Sequence, residues 1–406
     1  MQNVFVEKPY EFVAPIQSSF AANWAARLGL FQRVLKRGHG IVSHECRNLH
    51  YLRESLDAGH GVMVCANHPR TSDPVVMGHV AREAPCLFYV MASSHLFHQS
   101  WAQRQMLRMA GAFSVNREGL DRQAVDYAIS VLEKAERPLL IFPEGTTSRT
   151  NDTLMSFMDG PSFIARSAAK RRQKQGGKVV VHPIAIRYLF QGDIHRTCCE
   201  VLSDIESKLT WRPNDQLPLV KRLIKVGSAL LTLKELQYDA RPEPGVSLRQ
   251  RQNEMVDRLL APLEEEWLGS KKEGGVAIRV KSLRMKIFPT LQSSELTVDQ
   301  RKTRWKMMED TYLAQQIDCY PENYLTEFPS IERVLETTEK LEEDLTDRCR
   351  VHGKMRVIID VGPAIEVNTE RQRGVAVDPL MNEIRTQLEL MLAQSRTECR
   401  MFQEGA

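Results

Sequence analysis

Short apolar runs alternate with amphipathic segments along the first half of the chain. GVMVCA (61–66), CLFYVMA (86–92), AFSV (112–115), PLLIF (138–142) and VVVHPIAIRYLF (179–190) have the length and β-branched character of buried strands. Between them, Pro74 to about Arg82, 99–110, 119–136 and SFIARSAAKRR follow helical spacing, the first with a proline near its start behind a polar cap. This alternation predicts an α/β fold with a mixed, mostly buried sheet flanked by helices. Ahead of it, Phe20, Trp24, Leu28, Phe31 and Leu35 share one face of a predicted helix over 17–37. Arg27, Arg33, Lys36 and Arg37 surround that stripe, so the helix either packs on the main domain or lies at a membrane interface.

After about residue 205 the pattern changes. VKRLIKVGSALLTLKEL, LRQRQNEMVDRLLAPLEEEWL and SIERVLETTEKLEEDLTD read as charged amphipathic helices separated by loops such as RPEPG and GSKKEGG. MRVIIDVGPAIEV then restores a strand, and Asp378-Pro379 opens a helix with Ile384, Leu388 and Leu392 on one face. A lone strand closing a helical region leaves an unpaired edge, so it is expected to pair with the first sheet. The predicted plan is an N-terminal amphipathic segment (1–39), a first part of the α/β domain (40–204), a helical insertion (205–350), a closing strand and helix (351–398) and a tail (399–406).

Composition narrows the class. The chain has 406 residues, 42% of them hydrophobic, enough for a sizeable core, and a net charge of only +4, which argues against a dedicated nucleic-acid binder. None of its eight cysteines forms a CxxC pair, and Cys198-Cys199 are adjacent, which favours reduced thiols in the cytoplasm. The N-terminus has no basic stretch followed by an apolar run, and no segment approaches the roughly 20 apolar residues of a spanning helix. No signal peptide or transmembrane helix is therefore expected, and any membrane contact would be peripheral.

Three strand-end stretches concentrate polar chemistry. In VCANHPRTSDP (64–74), His68 ends a buried strand and Asp73 precedes the next helix; of eleven histidines only His68 has an aspartate five residues on. Pro69 biases His68 towards extended geometry, and a tight turn would bring the pair within hydrogen-bond reach. Imidazole can take a proton from a hydroxyl near neutrality, and a carboxylate on its other nitrogen fixes the tautomer. The plainer alternative is Asp73 as a helix cap. FPEGTTSR (142–149) places a carboxylate, a glycine and three hydroxyls where α/β sheets put binding sites. In GAFSVNRE (111–118), Arg117 leaves a short strand and suits a bidentate phosphate contact or a surface salt bridge.

Together these stretches resemble the glycerolipid acyltransferase superfamily, the lysophosphatidic acid and glycerol-3-phosphate acyltransferases. NHPRTSD is similar to the family's first block, Asn-His then four residues to Asp. GAFSVNR resembles the second, FPEGTTS the third and the run around Pro183 in VVVHPIAI the fourth; RVIIDVGPAI (356–365) is similar to its closing strand. The resemblance covers about 40–200 and 355–395. It implies a general base at His68 oriented by Asp73, and an acceptor site formed by Arg117, Glu144, Gly145, Thr146, Thr147 and Arg149. Pro183 and Ile184 would serve the acyl chain or the structure. The reaction implied moves an acyl group from acyl-CoA or acyl-ACP, as co-substrate rather than bound cofactor, to a hydroxyl of lysophosphatidic acid or glycerol 3-phosphate, with no metal. One departure stands out: where the family often has Phe-Lys-x-Gly, this chain has Phe157-Met158-Asp159-Gly160, which leaves a lysophospholipid or other non-phosphate acceptor open. A hydrolase, or a catalytically silent lipid-binding scaffold, is the rival reading. The expected partners are a lipid or glycerol-phosphate acceptor, the acyl donor and an anionic membrane surface on the cytoplasmic side, with no nucleic acid. AKRRQKQGGK (169–178) is a candidate headgroup contact, or else a solvated helix end.

Overall fold

The computed structural model describes residues 10–17, 30–119, 121–241, 245–292, 295–318, 323–348, 350–370 and 377–404. Most of the helix predicted over 17–37, including Phe20, Trp24 and Leu28, lies outside them. The chain divides into two compact units. Of the described residues, one holds those up to Leu189 together with Lys354–Glu398, and the other holds those of Phe190–Gly353 together with 399–404.

The first unit is built on an eight-stranded, mostly parallel sheet. In chain order its described elements are α1 (Leu30–His39), β1 (Ile41–Arg47), α2 (Leu49–Asp57), β2 (Gly61–Ala66), α3 (Asp73–Glu83), β3 (Tyr89–Ser93), α4 (Trp101–Met109), β4 (Ala112–Val115), α5 (Arg122–Lys134), β5 (Leu139–Ile141), α6 (Gly160–Gln173) and β6 (Val179–Phe190). The strands run in the order β1, β7, β6, β2, β5, β3, β4, where β7 is Met355–Val361, and the two-residue β8 (Ile365–Glu366) pairs antiparallel with β6. The fold is thus the mixed α/β class that the alternating pattern predicts. β2 and β6 are buried along their whole length because helices cover both faces, which is why they read as continuous apolar runs. On one face, α5, α6 and the last helix, residues Pro379–Ser395, pack against Met63, Cys65, Leu139 and Val181. The other face carries α1, α2 and α3.

Two features of the sheet escape the hydrophobic pattern. β1 (IVSHECR) has a burial pattern too polar to read as a strand, yet it pairs parallel with β7 from Ile41 to Arg47. It is an edge strand, and an edge needs few buried side chains. The returning strand β7 lies between β1 and β6, so the late segment is internal to the sheet. Val357, Ile358, Ile359 and Val361 are at most 1% exposed. At about 1.5–3 kcal/mol per buried aliphatic side chain, they contribute roughly 6–12 kcal/mol of gross stabilisation, as large as the whole net stability of an ordinary domain, about 5–15 kcal/mol.

Buried polar bonds fasten the late segment. The Arg166 guanidinium forks onto Asp378, at 2.5 and 2.9 Å, and Asp378 also caps the last helix by accepting from the Leu380 N–H. Arg187, 1% exposed, donates to Ser395 Oγ and the Leu392 carbonyl. His182 lies buried between the Gly362 carbonyl and Ser55 Oγ, 2.9 Å from each, a structural use of its ring.

The second unit is helical: α7 (Ile194–Lys208), α8 (Leu219–Gln237), α9 (Leu248–Leu268), α10 (Val276–Leu291), α11 (Val298–Ile317) and α12 (Ile331–Thr346). It begins at Phe190, before the compositional change near 205, because α7 packs on α8 and α12. Its interior uses paired charges, such as Arg222 on Glu206 and Arg279 on Glu264. Among the described residues no helix is long and apolar enough to cross a membrane.

Because β7 is an inner strand, a protease cut within 190–353 is expected to leave 354–398 bound to the N-terminal segment under native conditions. Size-exclusion chromatography of the nicked protein, followed by mass spectrometry, checks this; a freely separating C-terminal fragment would contradict the pairing.

Candidate active site

The parallel pairing of β2 with β5, β5 with β3 and β3 with β4 brings the C-terminal ends of four strands to one edge of the sheet. His68, Arg117 and Glu144 all follow such ends. Asn67 sets the first of them. Its side chain donates to the Ile186 carbonyl and accepts from the Ile186 N–H, at 3.0 and 2.7 Å, so it mimics one more residue of strand pairing beyond the end of β2. Asn151 does the same to Tyr188, at 2.6 and 2.8 Å. Two amide side chains thereby satisfy the backbone of β6 where no neighbouring strand reaches it.

His68 is held by its backbone as well as its ring. Its N–H donates to Glu144 Oε1 at 2.9 Å, and its carbonyl accepts from the Ser148 N–H at 2.8 Å. The ring stacks on Phe142, centroids 4.1 Å apart. Nδ1 lies 2.7 Å from Asp73 Oδ2. With Nδ1–H donating there, Nε2 carries the lone pair and is free to accept a proton; among the described residues Nε2 has no hydrogen-bond partner. The side chain is partly exposed, 16%, whereas that of Asp73 is 0% exposed.

A fully buried carboxylate needs donors on both oxygens. Asp73 opens α3, and its Oδ2 also accepts from the Arg70 N–H at 2.9 Å, closing a tight turn over 70–73. Its Oδ1 accepts from the Tyr188 hydroxyl at 2.5 Å. The carboxylate therefore serves the histidine, the turn and β6; the residue at the helix N-cap is Ser72, whose Oγ lies 3.0 Å from the Tyr188 hydroxyl. Burial, reinforced by the adjacent Asp73 charge, pushes the Tyr188 phenol well above its ordinary value, so it stays a neutral donor.

Glu144 is also buried, 1% exposed. Its second oxygen accepts from the Met155 N–H at 2.9 Å, so the carboxylate joins the His68 backbone to the loop after β5. Burial pushes its carboxyl above the ordinary carboxylate range, and the two N–H bonds oppose that shift. Each of its oxygens thus meets a backbone N–H. Gly145, with φ +68°, makes the turn that a side chain would strain, and its carbonyl accepts from Arg117 Nη1. Burial pulls the Arg117 guanidinium below its usual range. Thr146 and Thr147 are half-buried on the same turn, and among the described residues their hydroxyls make no hydrogen bond to the protein. Arg149 follows on this loop with φ +64°, an unusual conformation for a non-glycine residue. Pro183 and Ile184 lie within β6, paired with Cys65 and Ala66, buried in the sheet. Met158 packs its thioether against Gly145, and Arg385 holds the preceding loop by the Met155 and Leu154 carbonyls. Among the described residues no group of three or more His, Cys, Asp or Glu is arranged to hold a metal ion.

Sequence reasoning did not single out Tyr188, Asn67, Asn151 or Phe142 for a role. A tyrosine or asparagine within or at the end of a buried run must find a polar partner, and that requirement is the signal that points to the first three.

Replacing Glu144 with Gln would turn an amide N–H₂ towards a backbone N–H. Glu144→Gln is expected to cost about 1–3 kcal/mol, read as a lower urea midpoint, with faster amide exchange at His68 and Met155.

Comparisons with known proteins match the same part of the chain. An Acyltransferase family model matches residues 44–187, from β1 into β6, a stretch that contains His68, Asp73, Arg117 and Glu144 and stops one residue short of Tyr188. The chain is also 34% identical over 112 residues to a 1-acyl-sn-glycerol-3-phosphate acyltransferase of Streptococcus pneumoniae (strain ATCC BAA-255 / R6). That match covers 27% of this chain and 38% of the relative, so the chain spans well under half of the relative's length. Residues 44–187 thus match an acyltransferase domain, and the two comparisons together support the glycerolipid acyltransferase superfamily.

Proposed function

We propose that the protein esterifies a hydroxyl of a glycerolipid precursor, lysophosphatidic acid or glycerol 3-phosphate, with an acyl group from acyl-CoA or acyl-ACP. The observation that carries this reading is the His68–Asp73 pair at 2.7 Å with the opposite ring nitrogen open. The acceptor hydroxyl gives its proton to His68 Nε2 as its oxygen attacks the thioester carbonyl. The C–O bond forms, the C–S bond breaks, and the proton passes from the imidazolium to the departing thiolate. A thioester is already activated, so general-base help and positioning supply the rate. Asp73 steadies the imidazolium, and Tyr188 holds Asp73.

Arg117 supports an acceptor bearing phosphate: it is a half-buried cation on the edge that carries His68, bonded to the Gly145 carbonyl at the start of the turn that carries Thr146 and Thr147. A lysophospholipid acceptor without a free phosphate is a second reading, favoured by the apolar Met158 that covers Gly145. The substrates make a peripheral position on an anionic membrane the natural working place.

Thiol release from acyl-CoA, followed with a panel of acceptors, tests the reaction. Release should depend on an acceptor and yield ester, and His68→Ala should lose at least about 100-fold. Equal release by wild type and variant would sink the general-base role; acceptor-independent release without ester would make the protein a hydrolase. Tyr188→Phe removes one donor to the Asp73 carboxylate and loosens its hold on the His68 ring. The variant should therefore lose about tenfold in kcat with KM little changed. A kcat loss matched by an equal rise in KM, or by a collapsed melting midpoint, would reduce Tyr188 to packing.

A further inference from the structure

Outside the strand-end site, α4 (Trp101–Met109) is covered unlike the other helices around the sheet: none of its residues is fully buried. At 100° per residue, Trp101, Ala102, Gln105, Met106, Met109 and Ala110 share one half of the circumference. Leu107 turns the other way and packs on a small cluster of Val13, Phe97 and Ala112. In a chain with 26% charged residues, this outward half has none. Trp101 is 76% exposed and Met106 60%.

Charge selects the occupant. From Ala84 to Arg117 the sequence contains no Asp or Glu, and Arg104 and Arg108 flank the uncharged half on the Trp101 side. Arg108 is engaged with the Ala14 carbonyl and Gln105. Among the described residues the Arg104 guanidinium has no ion pair. A convex helix with an exposed Trp, two Met and basic flanks suits the headgroup boundary of an anionic leaflet, where Trp anchors and cations are attracted.

Position agrees. A short 3-10 turn (Ser94–Phe97) leads from the C-terminal end of β3 to α4, so the helix starts at the edge where His68 and Arg117 emerge. His95 on that turn feels the Arg117 charge; burial first, then Arg117, push its imidazole down to about 4. The basic stretch 169–178 lies at the opposite edge, where α6 ends and β6 begins. Much of its charge is engaged internally. Arg172 donates to the carbonyls of Gly59, Glu133 and Lys178, Arg171 pairs with Glu133, and Lys178 pairs with Glu366.

We propose that the outward half of α4, centred on Trp101 and Met106, docks this protein on an anionic bilayer and sets the strand-end edge beside it. The choice of a bilayer as occupant rests on the lipid-acceptor reading above. The docking itself is measured without turnover, so the two fail separately.

The test uses the full chain and vesicles of phosphatidylcholine with phosphatidylglycerol. Wild type is expected to co-sediment and to show a blue shift of tryptophan emission that Trp101→Phe lacks. Trp101→Ser/Met106→Ser should bind about tenfold more weakly or less, with an unchanged circular-dichroism melt, whereas Lys170→Gln/Lys174→Gln should retain most of its binding. Wild-type binding matched by the double serine variant, or no vesicle binding at all, overturns the proposal. So does a loss of self-association in the double variant with vesicle binding intact, which would assign the face to a second copy of the chain. Vesicle binding through α4 by a protein with no acyl transfer would leave the docking standing and remove the catalytic reading.

Discussion

A carboxylate removed from water must be met by donors, and the site depends on how that requirement is met at Asp73. Three donors reach it: the His68 ring, the Arg70 N–H and the Tyr188 hydroxyl. Each comes from a different piece of structure, namely the end of β2, the turn into α3 and the central strand β6. The carboxylate can keep all three only if those pieces hold their relative register, so the chemistry of the pair and the packing of the sheet are one constraint. Removing one donor would leave a buried acceptor unsatisfied, a cost of about 1–3 kcal/mol.

Glu144 meets the same constraint on the other side of His68. Its two oxygens bind the His68 and Met155 N–H groups, and the loop it organises returns Ser148 to the His68 carbonyl. The histidine is thus fixed at N–H, carbonyl and ring, while its Nε2 side stays partly open. In the proposed reaction this pre-organisation would hold the base in place without reorganisation. Asn67 and Asn151 extend the argument to the backbone, since they complete the pairing of β6 beyond the reach of its neighbours. Several polar residues near the site are therefore supports, and among the described residues the open face of His68, the half-buried Arg117 and the hydroxyls of Thr146 and Thr147 are the groups proposed to meet a ligand.

Much of the α/β frame was legible in the chain because β2, β5 and β6 are buried on both faces and must be apolar throughout. β1 was not legible, since an edge strand with Ser43, His44 and Glu45 has no such requirement. The pairing of the late strand with the first sheet followed from the penalty on an unpaired edge; its inner place between β1 and β6 did not. At the site, His68 and Asp73 were readable from their spacing and the prolines around them. Glu144 was visible as a strand-end carboxylate, yet nothing local said that both its oxygens would face backbone N–H groups.

The sequence by itself determined the alternation of strand and helix, the strand-end grouping of His68, Arg117 and Glu144, and the four blocks that resemble glycerolipid acyltransferases. Those are local properties: periodicity, proline placement and short spacing act within a few residues. Only the tertiary structure decided that Tyr188, 115 residues from Asp73, completes its carboxylate, that Asn67 pairs with Ile186, and that α4 keeps an uncharged half outward. The reason is that hydrogen-bond satisfaction and burial are settled by whichever distant segments the sheet brings side by side, and no spacing along the chain records that choice.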